Sequence, residues 1–459
     1  MSETTHSPAR VGRAGIAGWL MFDWASQPFY TLITTFVFAP YFASAVAPTP
    51  ELGQAWWGYA TGIAGLTIAI LSPILGSMAD ATGPRKPWIF LFSIMLVGGS
   101  AALWMAMPGA SDMVFWVLVA FAIATIGAEF AIVFTNAMMP DLVDEDRLGR
   151  LSGNGWAIGY IGGLISLILV LGFMAGNPET GKTLLGADPW FGLDPAEREG
   201  DRIAGPLSAV WYVIFVIPLF LFTPDTPRKR TVGSAVSHGF KDLKATLKSL
   251  PDDKNVLMYL IASMFYRDAL IALFAFGGIY AAGVLGWSLI QIGIFGILLS
   301  ITGTFGAWLG GMLDDRFGAK NVILWVLVIL LLCCVGVVST SREHVFFFVE
   351  AAPRMPGDAM FSSLPELVYL ALGGVIGAAA GPMQAASRTL LIKLAPRERM
   401  TQYFGLYALT GKVTSFIGPF SVAIATDLSG SQRIGMTPML VLFAIGLVLL
   451  TRVHVARPE

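Results

Sequence analysis

Gly76-Ser77-Met78-Ala79-Asp80-Ala81-Thr82-Gly83-Pro84-Arg85-Lys86 returns 235 residues later as Gly311-Met312-Leu313-Asp314-Asp315-Arg316-Phe317-Gly318-Ala319-Lys320. Both copies follow a long apolar run. Both keep a glycine, an acid at the fifth place, a glycine at the eighth and a base at the tenth. A second pair lies 252 residues apart: Glu145-Asp146-Arg147 with Gly159 beyond it, and Arg397-Glu398-Arg399 with Gly411 beyond it. The 17-residue difference between the two offsets matches a longer loop in the second half. The chain therefore reads as two copies of one unit.

The residue types give the loop a physical logic. A small residue such as Gly76 or Gly311 lets another helix backbone come close. Asp80 and Asp315 stand at a membrane rim, where the positive end of an entering helix attracts a carboxylate. Gly83 and Gly318 suit a tight turn. Arg85 and Lys86 are expected to anchor the loop to lipid headgroups, and Arg316 is grouped with this gating loop in the second copy.

Composition narrows the class. Of 459 residues, 55% are hydrophobic and only 13% are charged, half the supply of a soluble domain. A soluble enzyme, a disordered chain and a basic nucleic-acid binder are all excluded. The net charge of −1 recruits no acidic partner. Two adjacent cysteines, Cys333 and Cys334, and four scattered histidines give neither a disulfide framework nor a metal-ligand spacing. No metal and no cofactor are expected.

Twelve apolar runs are long enough to cross a bilayer. They lie near 18–46, 56–79, 88–107, 113–137, 153–175, 205–223, 255–283, 288–312, 321–340, 364–387, 401–426 and 437–453. The first run is too long for a signal-peptide core and is read as retained. With both termini cytoplasmic, tails and inner loops hold 21 of the 29 basic residues and outer loops hold six. That bias sets the expected topology. The expected domains are a bundle over 1–223, a cytoplasmic linker over 224–254 and a bundle over 255–459. The linker carries Arg228-Lys229-Arg230 and is read as a solvated connection, with an amphipathic helix over 237–250 as the alternative.

Taken together, the twelve spans, the central loop and the duplicated G-x-x-x-D-x-x-G-x-[RK]-[RK] loop resemble the major facilitator superfamily. The second copy departs from it at Ala319-Lys320-Asn321. The resemblance implies an all-α fold of two pseudo-symmetric six-helix bundles around a cavity that opens alternately to each side. It also implies that Asp80 holds the cytoplasmic end of span 11, that Asp315 holds the end of span 5, and that spans 1, 4, 7 and 10 line the cavity. A finer resemblance is to the autophagy-related vacuolar amino-acid effluxer branch and its bacterial relatives. It rests on Phe22-Asp23-Trp24-Ala25, Pro28-Phe29-Tyr30, Pro40-Tyr41-Phe42 and Tyr266-Arg267-Asp268, with Ser26-Gln27 replacing the usual asparagine and serine. It implies export or exchange of small solutes, amino acids among them, and a bacterial inner membrane.

Five ionisable residues fall inside spans: Asp23, Glu129, Arg267, Asp268 and Lys412. A charge in hydrocarbon costs at least ~2.5–3.5 kcal/mol, so each should be paired or wetted. Helix rise puts Arg267 and Asp268 about 18–20 Å, Lys412 about 16 Å and Glu129 about 13 Å from the cytoplasmic ends of their spans. Arg267 and Asp268 diverge by about 100° on one helix and need different partners. Asp268 or Glu129 is expected to carry a coupling proton. Arg267 is expected to bind an anionic group of the solute, with Lys412 as a second cationic contact. The alternative is a charge network between halves, such as Arg267 with Glu129 or Lys412 with Asp23, that only locks states. Gln27, Tyr30 and Tyr266 join the cavity candidates, with Asn136, Gln384, Arg388 and Tyr407 behind them. Arg388 is read as belonging to the cytoplasmic end of its span. Trp24, Trp56, Trp57, Trp88 and Trp287 are read as interface anchors, and Pro28, Pro40, Pro73, Pro218, Pro382 and Pro419 as kink candidates.

The sequence thus points to a monomeric secondary transporter of a small polar solute, coupled to protons and working in the lipid bilayer. The alternatives are an ion-independent uniporter, a receptor or scaffold, and a lipid-handling protein of the same architecture. An enzyme would need a nucleophile with its base or a clustered metal site, and the residues supply neither.

Overall fold

A computed structural model describes residues 11–110, 112–228, 241, 243–246, 248, 250–287, 289–355 and 358–455. Among these residues twelve helices are long and apolar enough to span a membrane. They are α1 Arg13–Val46, α2 Leu52–Thr82, α3 Lys86–Met105, α4 Val114–Asn136, α5 Glu145–Met174, α6 Glu199–Phe222, α7 Lys254–Leu285, α8 Gln291–Phe317, α9 Ala319–Ser339, α10 Leu364–Leu394, α11 Arg397–Ser429 and α12 Gln432–Thr451. The protein is a multi-pass integral membrane protein. Hydrocarbon leaves helices as the simplest way to satisfy every backbone N–H and C=O. Their outward faces carry the apolar residues that a soluble protein would hide, such as Phe90, Ile94, Trp116, Ile214 and Leu221.

The packing repeats between halves. In the first half α1 packs on α5 and α6, α4 on α2 and α3, and α3 on α6. In the second half α7 packs on α11 and α12, α10 on α8 and α9, and α9 on α12. These are the same five pairs shifted by six helices, so the duplicated sequence builds two pseudo-symmetric six-helix bundles. The bundles meet chiefly through α2 with α11 and α5 with α8.

Small residues make both crossings. A Cβ on Gly76 would come within 2.5 Å of the Thr401 carbonyl, and one on Gly311 within 2.6 Å of the Gly149 carbonyl. Gly83 and Gly318 turn the chain with φ of 102° and 86°, where a side chain would be strained.

Several helices extend past their apolar runs on the face that holds the termini. α5 starts at Glu145, α8 reaches Phe317 and α10 reaches Leu394. There the opposite half, rather than lipid, supplies partners for polar side chains.

Several helices are irregular: α5 ends in a π-helical turn at Val170–Met174 and α7 in one at Ala281–Leu285. α1 passes through π-helical turns at Phe29–Phe36 and Phe42–Val46. α11 consists of Met400–Val413 and Ile417–Ser429 with 414–416 unwound. Pro419 explains the break: its ring lacks an N–H and crowds the carbonyl of Ser415.

The loop after α9 folds into a small hairpin of β1 His344–Val345 and β2 Val349–Glu350. After α6, Asp225 accepts the backbone N–H groups of Arg85 (2.8 Å) and Lys86 (2.9 Å). Lys229, Arg230 and half of the amphipathic stretch considered over 237–250 lie outside the described residues.

Candidate functional site

The two halves are latched on the termini face by one carboxylate from each. Asp80, at the end of α2, accepts the backbone N–H groups of Thr401 (3.1 Å) and Gln402 (2.8 Å) in the first turn of α11. Asp315, at the end of α8, accepts the backbone N–H (3.2 Å) and Nε (2.6 Å) of Arg150 in the first turns of α5. A carboxylate in this place answers both the free N–H groups and the positive end of the entering helix. Arg397 and Glu145 add an exposed ion pair at 3.6 Å.

Arg85 and Lys86 do not reach for headgroups. Arg85 is buried against the opposite half. It pairs with Asp141 at 2.7 Å, stands 3.8 Å from Asp80, and donates to Thr401 Oγ1 at 3.1 Å. Lys86 donates to the Phe220 carbonyl at 2.9 Å. The reason is the close α2–α11 crossing, which puts protein where a lone loop would meet lipid. Arg316 is exposed, beside the Phe317 ring.

Deeper in, Arg388 of α10, one of the weaker cavity candidates and close to its span's end, is buried at 5% exposure. Its guanidinium donates to Ser152 Oγ (2.9 Å), the Ser152 carbonyl (2.7 Å) and Asn136 Oδ1 (3.0 Å). Asp23 lies 3.5 Å away as its counter-charge. Trp19 and Trp156 present their rings to it. Three helices of the first half thus converge on one base of the second.

At mid-depth Lys412 of α11 binds Glu129 of α4 at 2.9 Å. The charge network between halves exists, but with Asp23–Arg388 and Glu129–Lys412 as its pairs. It replaces the Arg267–Glu129 and Lys412–Asp23 pairs considered from sequence.

Arg267 differs from the other two bases. It donates to the Tyr407 carbonyl at 3.0 Å and stacks over the Tyr407 ring at 4.0 Å. No carboxylate among the described residues is within ion-pair distance of it. Asp268 is buried at 1% exposure, and its Oδ1 has no hydrogen-bond partner among the described residues.

The remaining candidates divide. Gln27 lies along Gly159 and Gly163 of α5. The Tyr30 hydroxyl is buried without a hydrogen-bond partner among the described residues. Tyr266 sits inside the second bundle, bonded to Ser387 Oγ at 2.8 Å and packed on Gly446 of α12, away from the space between halves. Gln384 reaches Tyr160 across the halves at 3.4 Å.

Of the tryptophans read as interface anchors, Trp287 is buried among Phe295, Phe361 and Tyr369. Trp57 and Trp88 stack on Phe121 and Phe134 of α4, and Trp24 on Trp211 of α6. Here packing between helices outweighs the headgroup region. Sequence reasoning passed over Asp314, which is buried, bonds the Thr389 hydroxyl and lies 3.4 Å from Lys393. The available signal was the doubled acid Asp314-Asp315, where the first copy of the loop has one.

A profile of the family described as "Vacuole effluxer Atg22 like" matches residues 54–459. The chain is similar to the "Uncharacterized MFS-type transporter YxiO" of Bacillus subtilis (strain 168), 26% identical over 437 residues, covering 94% of this chain and 93% of that protein. It is also similar to "Autophagy-related protein 22" of Cryptococcus neoformans var. neoformans, 28% identical over 334 residues, covering 68% of this chain and 52% of the fungal protein. The chain spans about half the length of that fungal relative. Among solved structures, the transporter FucP in the outward conformation superposes with a TM-score of 0.70 at 14% identity, covering 96% of this chain and 99% of that one. The human organic anion transporter MFSD10 (TETRAN) gives 0.67 at 15% identity, covering 95% and 99%. At these identities the structural likeness establishes the fold.

Proposed function

Since the chain belongs to the Atg22-like vacuole effluxer family of the major facilitator superfamily, we propose that it carries a small polar solute across the membrane by alternating access, coupled to protons. The units that move are the bundles over 1–223 and 255–459, joined by the linker over 224–254. The termini face is cytoplasmic, in keeping with the 21-to-6 distribution of basic residues. The state described here is then closed to the cytoplasm. The membrane is a bacterial inner membrane, and the protein works as a monomer.

The observation that carries this reading is the matched pair of latches, Asp80 on α11 and Asp315 on α5. A hydrogen bond to a charged group contributes about 1.5–3 kcal/mol. A few of them hold one state firmly and can still be outweighed when solute favours another. A scaffold has no use for such a reversible closure, nor for ion pairs at mid-depth.

Arg267 supports a solute with a negative group. Asp23 answers Arg388 and Glu129 answers Lys412, whereas the planar donor fork of Arg267 has no carboxylate within ion-pair distance among the described residues. Amino acids and other carboxylates fit that role. Asp268 and Glu129 are the carboxylates available to the coupling proton.

Proteoliposomes loaded with the purified protein and offered radiolabelled amino acids, short peptides and organic acids under a pH gradient test this. The expected result is gradient-driven accumulation of a carboxylate class. It should fall roughly 10–100-fold in Arg267→Ala, the equivalent of the lost charged hydrogen bonds. Folded protein that moves none of them, or flux indifferent to Arg267→Ala, would contradict the reading.

A further inference from the structure

Phe346, Phe347 and Phe348 make the tip of the hairpin that follows α9. His344 pairs with Glu350 and Val345 with Val349, which leaves these three residues for the turn. Phe346 and Phe347 both have positive φ, 51° and 69°. Successive positive φ values in a hairpin turn favour asparagine and glycine. A bulky side chain there is an outlier. All three phenylalanines are nonetheless exposed, Phe348 at 80%. The turn thus combines a strained backbone with bare aromatic surface. Strain of this kind persists where an interaction selects the side chain.

The position of the tip identifies its surroundings. The Phe347 N–H donates to the carbonyl of Ser339, the last residue of α9, at 3.0 Å. The Phe347 ring lies 5.4 Å from the guanidinium of Arg433, which itself donates to the Val338 carbonyl at 3.0 Å. The tip therefore folds back onto the last turn of α9, beside the start of α12, and does not project away from the bundle. The buried Val345 pins the strand that leads into it. Along the last two turns of α9, Leu332 and Val335 are exposed as well. Exposed apolar side chains thus run from the span up to the hairpin.

Charge and apolar surface are divided along the hairpin. Its ionisable residues, His344 and Glu350, face each other at the base, and its tip is wholly aromatic. A polar part beside an apolar part, with aromatic rings at the end of a span, is the pattern of an element lying in the membrane interface. A loop of the first half repeats the association on the same face. Phe191 has φ 58° and is 84% exposed, and its neighbour Trp190 stacks on Phe173 in the last turn of α5 at 4.5 Å.

We propose that the tip over 346–348 is a lipid anchor. It enters the headgroup and upper acyl region of the leaflet opposite the termini face. Through the contacts of Phe347 with Ser339 and Arg433 it fixes the ends of α9 and α12 to that surface. Lipid suits the tip better than a protein partner does. The hydrophobic effect is non-directional, so acyl chains cover three rings without a complementary surface, at a depth where lipid already surrounds α9.

The test uses purified full-length protein in vesicles of phosphatidylethanolamine and phosphatidylglycerol. The vesicles also hold a phospholipid with a diazirine near the carbonyl end of one acyl chain. Photolysis and peptide mapping then read which residues meet that depth. The expected result is adducts on 346–348, falling several-fold in the triple variant Phe346→Ser, Phe347→Ser, Phe348→Ser. Leu332 and Val335 should stay labelled in that variant, which reports that it is folded and inserted. Labelled α9 with an unlabelled tip in the native protein would overturn the anchor. A nitroxide at Phe348→Cys gives a second reading that does not depend on the triple variant, against one at Glu343→Cys near the base. Cys333 and Cys334 are buried at 4% and 2% exposure, and the unsubstituted protein sets the background. The label at 348 should collide with oxygen, which concentrates in lipid, several-fold more than with an aqueous nickel chelate, and the label at 343 should do the reverse. Water-like collisions at both places overturn the anchor. So does shielding of 348 from both agents with a short distance between labels, which would make the tip a contact between two copies of the chain.

Discussion

Arg388 is the residue whose surroundings define the closure on the termini face. It is bound by groups from α1, α4 and α5, and only Asp23 among them carries a charge. Removing one partner of a buried ion pair leaves the other uncompensated, at a cost of about 3–5 kcal/mol. Asp23→Ala should therefore destabilise the protein by about that much. Asp23→Ala combined with Arg388→Met should recover most of the loss. Denaturant unfolding in detergent measures both, and strictly additive losses would contradict the pairing. The five span-internal charges were legible from sequence because hydrocarbon singles them out. Their partners were not, because pairing is decided where two halves meet, which no spacing within one helix reports. Arg85 was misread for the same reason: a base near a span end looks like a headgroup anchor until another helix covers it.

The elements were more legible than their irregularities. Apolar run length found all twelve spans, and the repeated glycine–acid–glycine loop found the duplication. The ends of α5, α8 and α10 run on because polar side chains there bind the other half. The break in α11 was visible only as one proline among six candidates. Pro73, Pro218 and Pro382 sit inside continuous helices, whereas Pro419 follows an unwound turn. Helix continuity depends on whether neighbours can take over the freed carbonyl, which sequence does not state. Restoring the donor should test the explanation. In Pro419→Ala the residue can again bond the Ser415 carbonyl, a net gain of about 1 kcal/mol. Hydrogen exchange across 414–419 should slow roughly fivefold to tenfold by that amount. Unchanged exchange would mean that tertiary contacts, and not the proline, open the helix.

At the scale of the whole molecule, two like bundles are closed on one face by two like latches, with ion pairs stacked behind them towards mid-depth. Replacing Asp80 and Asp315 by asparagine keeps shape and removes charge. If each latch weakens by about 1 kcal/mol, the closed state loses about 2 kcal/mol and the population shifts roughly thirtyfold. Spin labels at Glu145→Cys and Arg397→Cys straddle the closure, since the native side chains stand 3.6 Å apart. Pulsed electron paramagnetic resonance in lipid nanodiscs should give a short distance in the otherwise native protein. In Asp80→Asn/Asp315→Asn a second, longer distance should become dominant. A single short distance in both proteins would contradict the claim that these bundles swing apart about a latched termini face.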